Sequence, residues 1–318
     1  MKQVEITHAK NGFGKALADL ADTDKRIVCL GLDITNSVGM NFFKERHPER
    51  FFSMGIAEQN AAATAAGLAL SGKIPAFSTY AVFSALRSID QIRVSVCYNN
   101  LHVIIGGAHA GISVGPDGAT HQALEDLAIM RAMPNMTVLS PCDENQTYLA
   151  TVAAVKQLNT PCYIRYGREA VPNFTDKNDM FEIGKAQWLR HGKDVGLIAT
   201  GSMAWTALET AERLEANGIS AAVMNIHTLK PIDKQAIVEI ANETGRIVTI
   251  EEHQITGGLG GAVAEVLGEH RPTPMKIIGM PDCFGESGKP SELLKMFGLD
   301  AETITAKTLA FIKKDRNV

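Results

Sequence analysis

The sequence predicts an α/β fold with two domains and largely parallel sheets. Short apolar runs of strand length alternate with amphipathic stretches of helix length along the whole chain, as expected for strands covered by helices. The 318 residues are enough for two cores. The turn-rich, aperiodic stretch 167–178 interrupts the alternation near the middle. The expected limits are 1–171 for a first domain, 172–185 for a linker and 186–318 for a second domain.

In the first domain, 9–21 read as an amphipathic helix and 26–32 as a buried strand ending at Asp33. A helix opens at Glu58 and runs to about residue 70, where Ser71-Gly72 closes it. A short strand follows at 74–78. Residues 81–98 read as one helix with Val82, Leu86, Ile89, Val94 and Val96 on its buried side. The strand 101–105 leads into a glycine-rich loop, 106–118, and 121–132 are helical up to Pro134. The strand 137–140, the helix 144–157 and the strand 162–166 complete the domain. Beyond the linker, strands are expected at 195–199, 221–225, 247–251 and 275–278. Helices are expected at 203–216, 233–243, 260–268 and 301–313.

The formal net charge is −4 and no Lys/Arg cluster occurs, so nucleic acid is not an expected partner. No apolar run approaches membrane-spanning length and residues 1–20 lack a signal-peptide pattern, so a cytoplasmic location without membrane contact is expected. The five cysteines are scattered, with no C-x-x-C pair. They read as reduced thiols, with neither a zinc site nor a disulfide framework.

In open α/β sheets, ligands bind beyond the carboxyl ends of the strands. Asp33, Ser37, Glu58, Tyr80, His109, Asp117, His121 and Arg168 all fall at such places, so function is expected to concentrate in 1–170. Glu58 opens a helix composed almost wholly of small and apolar residues, which places a carboxylate in an environment that penalises charge. A buried site carboxylate and a plain helix-dipole partner both fit that position. The loop 106–118 holds five glycines in thirteen residues, with His109, Asp117 and the following His121. Such a loop lets backbone approach a ligand and carries groups for proton transfer or for binding hydroxyl and phosphate. No Gly-Lys-Ser/Thr follows, so it is not a P-loop. Tyr80 and Phe83 could stack on a flat heterocycle or belong to the core. Arg168, within Arg165-Tyr166-Gly167-Arg168, suits phosphate or carboxylate, or is simply a surface residue. Gly257-Gly258-Leu259-Gly260-Gly261 lacks the dinucleotide-binding spacing and reads as tight helix–strand or subunit packing.

Taken in order, these segments resemble the transketolase family. The matching stretches are Asp33-Ile34-Thr35-Asn36-Ser37, Gly55-Ile56-Ala57-Glu58-Gln59-Asn60, Ser78-Thr79-Tyr80-Ala81-Val82-Phe83, 112–122 with Asp117-Gly118-Ala119-Thr120-His121-Gln122, Arg168, and 251–261 in the second domain. The whole chain is similar to a transketolase C-terminal half, a pyrimidine-binding domain followed by a transketolase C-terminal domain. The resemblance implies thiamine diphosphate with Mg2+ or another divalent cation. It also implies two-carbon ketol transfer between sugar phosphates in carbohydrate metabolism, as in the pentose phosphate pathway. Glu58 is then the residue that hydrogen-bonds the aminopyrimidine ring and activates the cofactor. Tyr80 and Phe83 stack on that ring, and Asp33 supports the pocket. Ser37, His109 and Arg168 hold a substrate phosphate, Asp117 binds the hydroxyl beside the reacting carbon, and His121 lies at the sugar hydroxyls.

Two departures from the family pattern bear on specificity. Lys10 stands where a phosphate-binding arginine is usual, which keeps the charge without the bidentate geometry. Leu86 replaces a third aromatic residue. The family's Gly-Asp-Gly motif for diphosphate and metal does not occur. The resemblance therefore implies one subunit of a split enzyme. An N-terminal-half transketolase subunit supplies the missing site, with two copies of each chain. The alternatives are a 1-deoxyxylulose 5-phosphate synthase-like chain, the beta subunit of a 2-oxo acid dehydrogenase, and a non-catalytic assembly subunit.

Overall fold

In a computed structural model that describes residues 4–315, a seven-stranded sheet organises the first domain. The expected outer domain limits at residues 1 and 318 lie outside the described residues. The strand order is Thr228–Lys230, Thr137–Leu139, Cys162–Arg165, Ile104–Ala108, Ile74–Tyr80, Ile27–Gly31 and Phe51–Ser53. Every adjacent pair is parallel except the first. From Ile27–Gly31 the chain moves to one neighbour, Phe51–Ser53, then crosses back to Ile74–Tyr80 on the other side. This reversal places a crevice at the carboxyl ends of those two strands.

The second sheet has the order Met275–Met280, Ile247–Gln254, Val195–Ala199, Ala221–Asn225 and Gln187–Arg190, with only the last pair antiparallel. Its four parallel strands lie where the apolar runs predict them. Gln187–Arg190 is only half-buried and has no such run, so periodicity misses it.

Thr228–Lys230 belongs to the second half of the sequence yet pairs antiparallel with Thr137–Leu139 of the first sheet. One apolar cluster accordingly runs from Leu30, Phe77 and Tyr163 through Leu127 and Ile226 to Ile237 and Val263. The two domains are joined by shared core as well as by the linker. Within the expected turn segment, Ala170–Pro172 pairs antiparallel with Ile6–His8 and ties the start of the chain beside Arg168.

The helix Glu58–Leu70 has the extent expected. Glu58, Ala61, Ala62, Ala65 and Ala66 form its buried face at helical spacing. Methyl-sized side chains let its axis lie close to Ile74–Tyr80. The single helix expected over 81–98 is instead two π-helical turns, Phe83–Arg87 and Ile92–Cys97, with a short α-helical turn, Ile89–Gln91, between them. The wider i→i+5 turns shift the phase that a 3.6-residue reading assumes. Val96 is buried as expected, but Leu86 and Val94 are 45% and 47% exposed. The strand expected at 101–105 lies at Ile104–Ala108, and the glycine-rich loop contains a 3-10 segment, Ile112–Asp117. The helix expected from 121 begins only at Asp126.

Glycines bring the helix Ala9–Ala21 against its neighbours. A Cβ at Gly12 would meet the Glu144 carbonyl, and one at Gly14 the Gly39 carbonyl in the loop that carries Ser37. Backbone cannot yield as a flexible side chain does. Gly14→Ala is expected to cost about 1–3 kcal/mol through overpacking, seen as a lower urea midpoint at unchanged slope.

Candidate active site

Glu58 is 2% exposed at the first position of its helix. Its two carboxylate oxygens accept hydrogen bonds from Arg87 Nη1 at 3.0 and 2.9 Å, and Thr79 Oγ1 lies 3.5 Å from Oε1. Arg87 reaches it from the first π-helical turn, and its guanidinium lies 4.0 Å from the Phe83 ring centroid. The helix-dipole position and the buried, paired carboxylate therefore coexist in one residue. Sequence reasoning missed Arg87. It is 29 residues from Glu58, and only the wide turn after Ile74–Tyr80 brings the two together.

An aromatic cluster continues from Phe83. Its ring centroid is 5.9 Å from Tyr80 in a stacked arrangement and 5.3 Å from His121 edge-on. Tyr80 stacks on His109 at 4.4 Å and meets His121 edge-on at 5.8 Å. His109 follows the strand Ile104–Ala108 with φ +54°, a left-handed conformation uncommon in residues other than glycine, though Asn, Asp and His adopt it more than most. That conformation turns the ring back so that Nε2 lies 3.0 Å from the Ser37 carbonyl. Its buried Nδ1 has no hydrogen-bond partner among the described residues.

Two cationic residues, Lys10 and Arg168, lie near His109. Arg168 donates from Nη1 to the Val114 carbonyl at 2.7 Å and pairs with Asp117 at 3.2 Å. Burial, then the nearby Arg168 charge, lower the pKa of Lys10. Burial chiefly, then Lys10 and Arg168, lower that of His109 to about 4. The imidazole is thus neutral at pH 7 and presents one donor and one acceptor nitrogen. Its NMR titration is expected to inflect near pH 4, whereas a free histidine inflects near 6.5. The unfolded chain takes up this proton first, so the group removes stability as pH falls from 6.5 towards 4.

With Arg87 as the link to Glu58, the structure brings Glu58, Tyr80, Phe83, His109, His121, Ser37, Lys10, Asp117 and Arg168 into one set of neighbours. Asp33 lies at its margin. It is exposed with φ +65° and accepts a long 3.4 Å hydrogen bond from Ser53 Oγ. Among the described residues, no group of three or more His, Cys, Asp or Glu is placed to hold a metal ion.

The second domain also reaches the site loop, beyond the expected 1–170. Glu251, Glu252 and His253 end the buried part of Ile247–Gln254. Glu251 accepts from the Leu259 and Gly260 amides at 2.6 and 2.7 Å. A Cβ at Gly258 would strike its carboxylate, which explains the glycine cluster as the helix–strand packing expected. His253 Nε2 takes the Ala128 amide at 3.3 Å and is fully buried, a structural role. Beside it Arg165 donates to Asp126 at 2.9 Å and to the Glu252 carbonyl at 2.9 Å.

Comparison with known proteins identifies the family and the fold. The family model of the transketolase pyrimidine-binding domain matches residues 7–173, and that of the transketolase C-terminal domain matches 184–304. The chain belongs to the transketolase family. The 6-deoxy-6-sulfo-D-fructose transketolase subunit SqwH of Clostridium sp. (strain MSTE9) is 41% identical, over 91% of this chain and 89% of that one. An apulose-4-phosphate transketolase subunit of Phocaeicola vulgatus is 40% identical, over 96% and 97% respectively. A solved split gene transketolase, an inactive beta4 tetramer, is 46% identical with a TM-score of 0.89, over 97% of this chain and 98% of that one. The fold is thus that of a transketolase pyrimidine-binding domain followed by a transketolase C-terminal domain. Transketolase-family membership also makes the chain part of a transferase-type enzyme family that uses thiamine diphosphate.

Proposed function

We propose that this chain is the cofactor-activating subunit of a split transketolase, moving a two-carbon ketol unit between sugar phosphates. The observation that carries the reading is Glu58, a carboxylate 2% exposed whose partner Arg87 lies over the Phe83 ring, itself stacked with Tyr80. The residues present suit the aminopyrimidine half of thiamine diphosphate. A flat heterocycle finds aromatic faces at Tyr80 and Phe83, and a ring nitrogen finds an acceptor at Glu58. When bound, that cofactor supplies the electron sink for breaking a carbon–carbon bond next to a carbonyl. Glu58 holds the proton at the ring nitrogen, and Asp33 supports the rim of the pocket. Arg168 and Lys10 supply the positive charge that suits the substrate phosphate, and Ser37 and the neutral His109 complete that phosphate site. Asp117 and His121 receive sugar hydroxyls.

The diphosphate and its Mg2+, or another divalent cation, are held mainly by an N-terminal-half partner subunit in an assembly of two copies of each chain, in the cytoplasm. The relatives named as transketolase subunits match nearly end to end, which favours this division. They act, by name, on different sugars, so the donor and acceptor of this chain are left to assay. The test is co-expression with the N-terminal-half subunit, followed by a panel of ketose phosphates. Ketol transfer only in the reconstituted pair supports the reading. Tight binding of thiamine diphosphate and magnesium by the isolated chain overturns the split site. Pyruvate turnover without ketose donor activity overturns the reaction.

A further inference from the structure

The loop 106–121 carries His109, Asp117 and His121, yet much of what surrounds it comes from the second domain. Ser113 donates its amide proton to Glu252 Oε1 at 2.6 Å, and the Ser202 hydroxyl donates to Oε2 of the same carboxylate at 3.3 Å. Gly111 has φ +87°, and its missing Cβ leaves the space that the Glu252 carboxylate fills. Further along, Gln122 donates from Nε2 to the Ile112 carbonyl at 3.2 Å and to the Glu286 carbonyl at 2.9 Å. Pro290 and Gly288 close against Gly115.

Glu251 and Glu252 point to opposite sides of their strand, and their tasks divide accordingly. Glu251 serves the helix Leu259–His270 of its own domain, whereas Glu252 reaches into the other domain. Burying a carboxylate here is costly, and an apolar side chain of the same volume would fill the space at lower cost. Such a side chain could accept neither the Ser113 amide nor the Ser202 hydroxyl. Arg165 anchors the backbone of Glu252 itself through its carbonyl at 2.9 Å.

We propose that Glu252 is a positioning residue for the substrate site. From the second domain, its carboxylate clamps the Gly111–Ser113 backbone and so fixes where His109, Asp117 and His121 stand. The substrate consequence rests on the reading of this loop as the sugar phosphate site. The clamp itself does not.

Hydrogen exchange read by mass spectrometry on the isolated chain tests the clamp. In the wild-type chain, the Ser113 amide is expected to be strongly protected. Glu252→Met keeps the volume and removes both acceptors, and should speed exchange within 106–121 by about ten- to a hundredfold, the scale of a lost charge-assisted hydrogen bond. Core strands such as Val195–Ala199 should exchange as before. Glu252→Gln retains an acceptor for Ser113 and should restore protection. Unchanged exchange in Glu252→Met, or equal loosening in Glu252→Gln, overturns the clamp. If Glu252→Met does not fold, an unprotected Ser113 amide in the wild type overturns it alone.

In the reconstituted pair, Glu252→Met should raise the sugar phosphate KM by about tenfold or more, with a smaller fall in kcat. A kcat loss at unchanged KM overturns the substrate role. Absence of ketol transfer in the wild-type pair sinks the functional reading but leaves the exchange result to decide the clamp.

Discussion

Glu58→Gln is expected to lower kcat of the reconstituted pair by about 10²–10⁴-fold, the usual range for a positioned proton-transfer group, while assembly and fold survive. The amide is isosteric and still accepts a hydrogen bond from Arg87 through its carbonyl oxygen. It cannot hold a proton for a ligand nitrogen as a carboxylate does. The stability effect should be small for a second reason. The Arg87 side chain is 44% exposed, so its guanidinium can turn to water when the partner charge is removed, and ion pairs with that freedom contribute about 0–1 kcal/mol. Steady-state kinetics on the pair, with gel filtration and thermal unfolding on the same samples, separate the two effects. Full activity in Glu58→Gln would remove Glu58 from the mechanism. Loss of assembly would make its role structural.

The opposite balance is expected at Asp126. It is 1% exposed and accepts from Arg165 Nε at 2.9 Å and from the Tyr163 hydroxyl at 2.8 Å. Arg165 is 6% exposed and cannot escape to solvent. Asp126→Leu leaves that guanidinium buried without its direct ion-pair partner and should cost about 3–5 kcal/mol. The double variant Asp126→Leu/Arg165→Met removes both charges and should recover much of the loss, since well-packed apolar replacements of buried pairs are often neutral or better. Urea unfolding followed by the fluorescence of Trp188 and Trp205 reads this well. Both tryptophans lie in the second domain, and the shared apolar cluster should carry the destabilisation to them. A single variant within about 1 kcal/mol of wild type, or a double variant no better than Asp126→Leu, would contradict the assigned pairing.

Much of the fold was legible because parallel strands buried on both faces are continuous apolar runs, and the helices between them keep their period. The helix Glu58–Leu70 and the strand Val195–Ala199 sit where the pattern puts them. The strand Thr228–Lys230 was not legible. It is three residues long, and its partner Thr137–Leu139 lies in the other domain. The turns at Phe83–Arg87 and Ile92–Cys97 were misread because a π-helical turn leaves no mark in a 3.6-residue count.

The candidate site divides in the same way. Glu58 stood out locally, as a carboxylate in an alanine-rich helix, and the density of glycine and ionisable groups in 106–121 marked the loop. Those features, in that order, carried the transketolase resemblance. Sequence alone determined which residues are candidates, because composition and spacing are local properties. Tertiary structure decided their state. It paired Glu58 with Arg87, lowered the pKa of His109 to about 4 and set Glu252 of the second domain against Ser113. Each of these depends on burial and on contacts between residues distant in the chain, and neither is written in any short window of sequence.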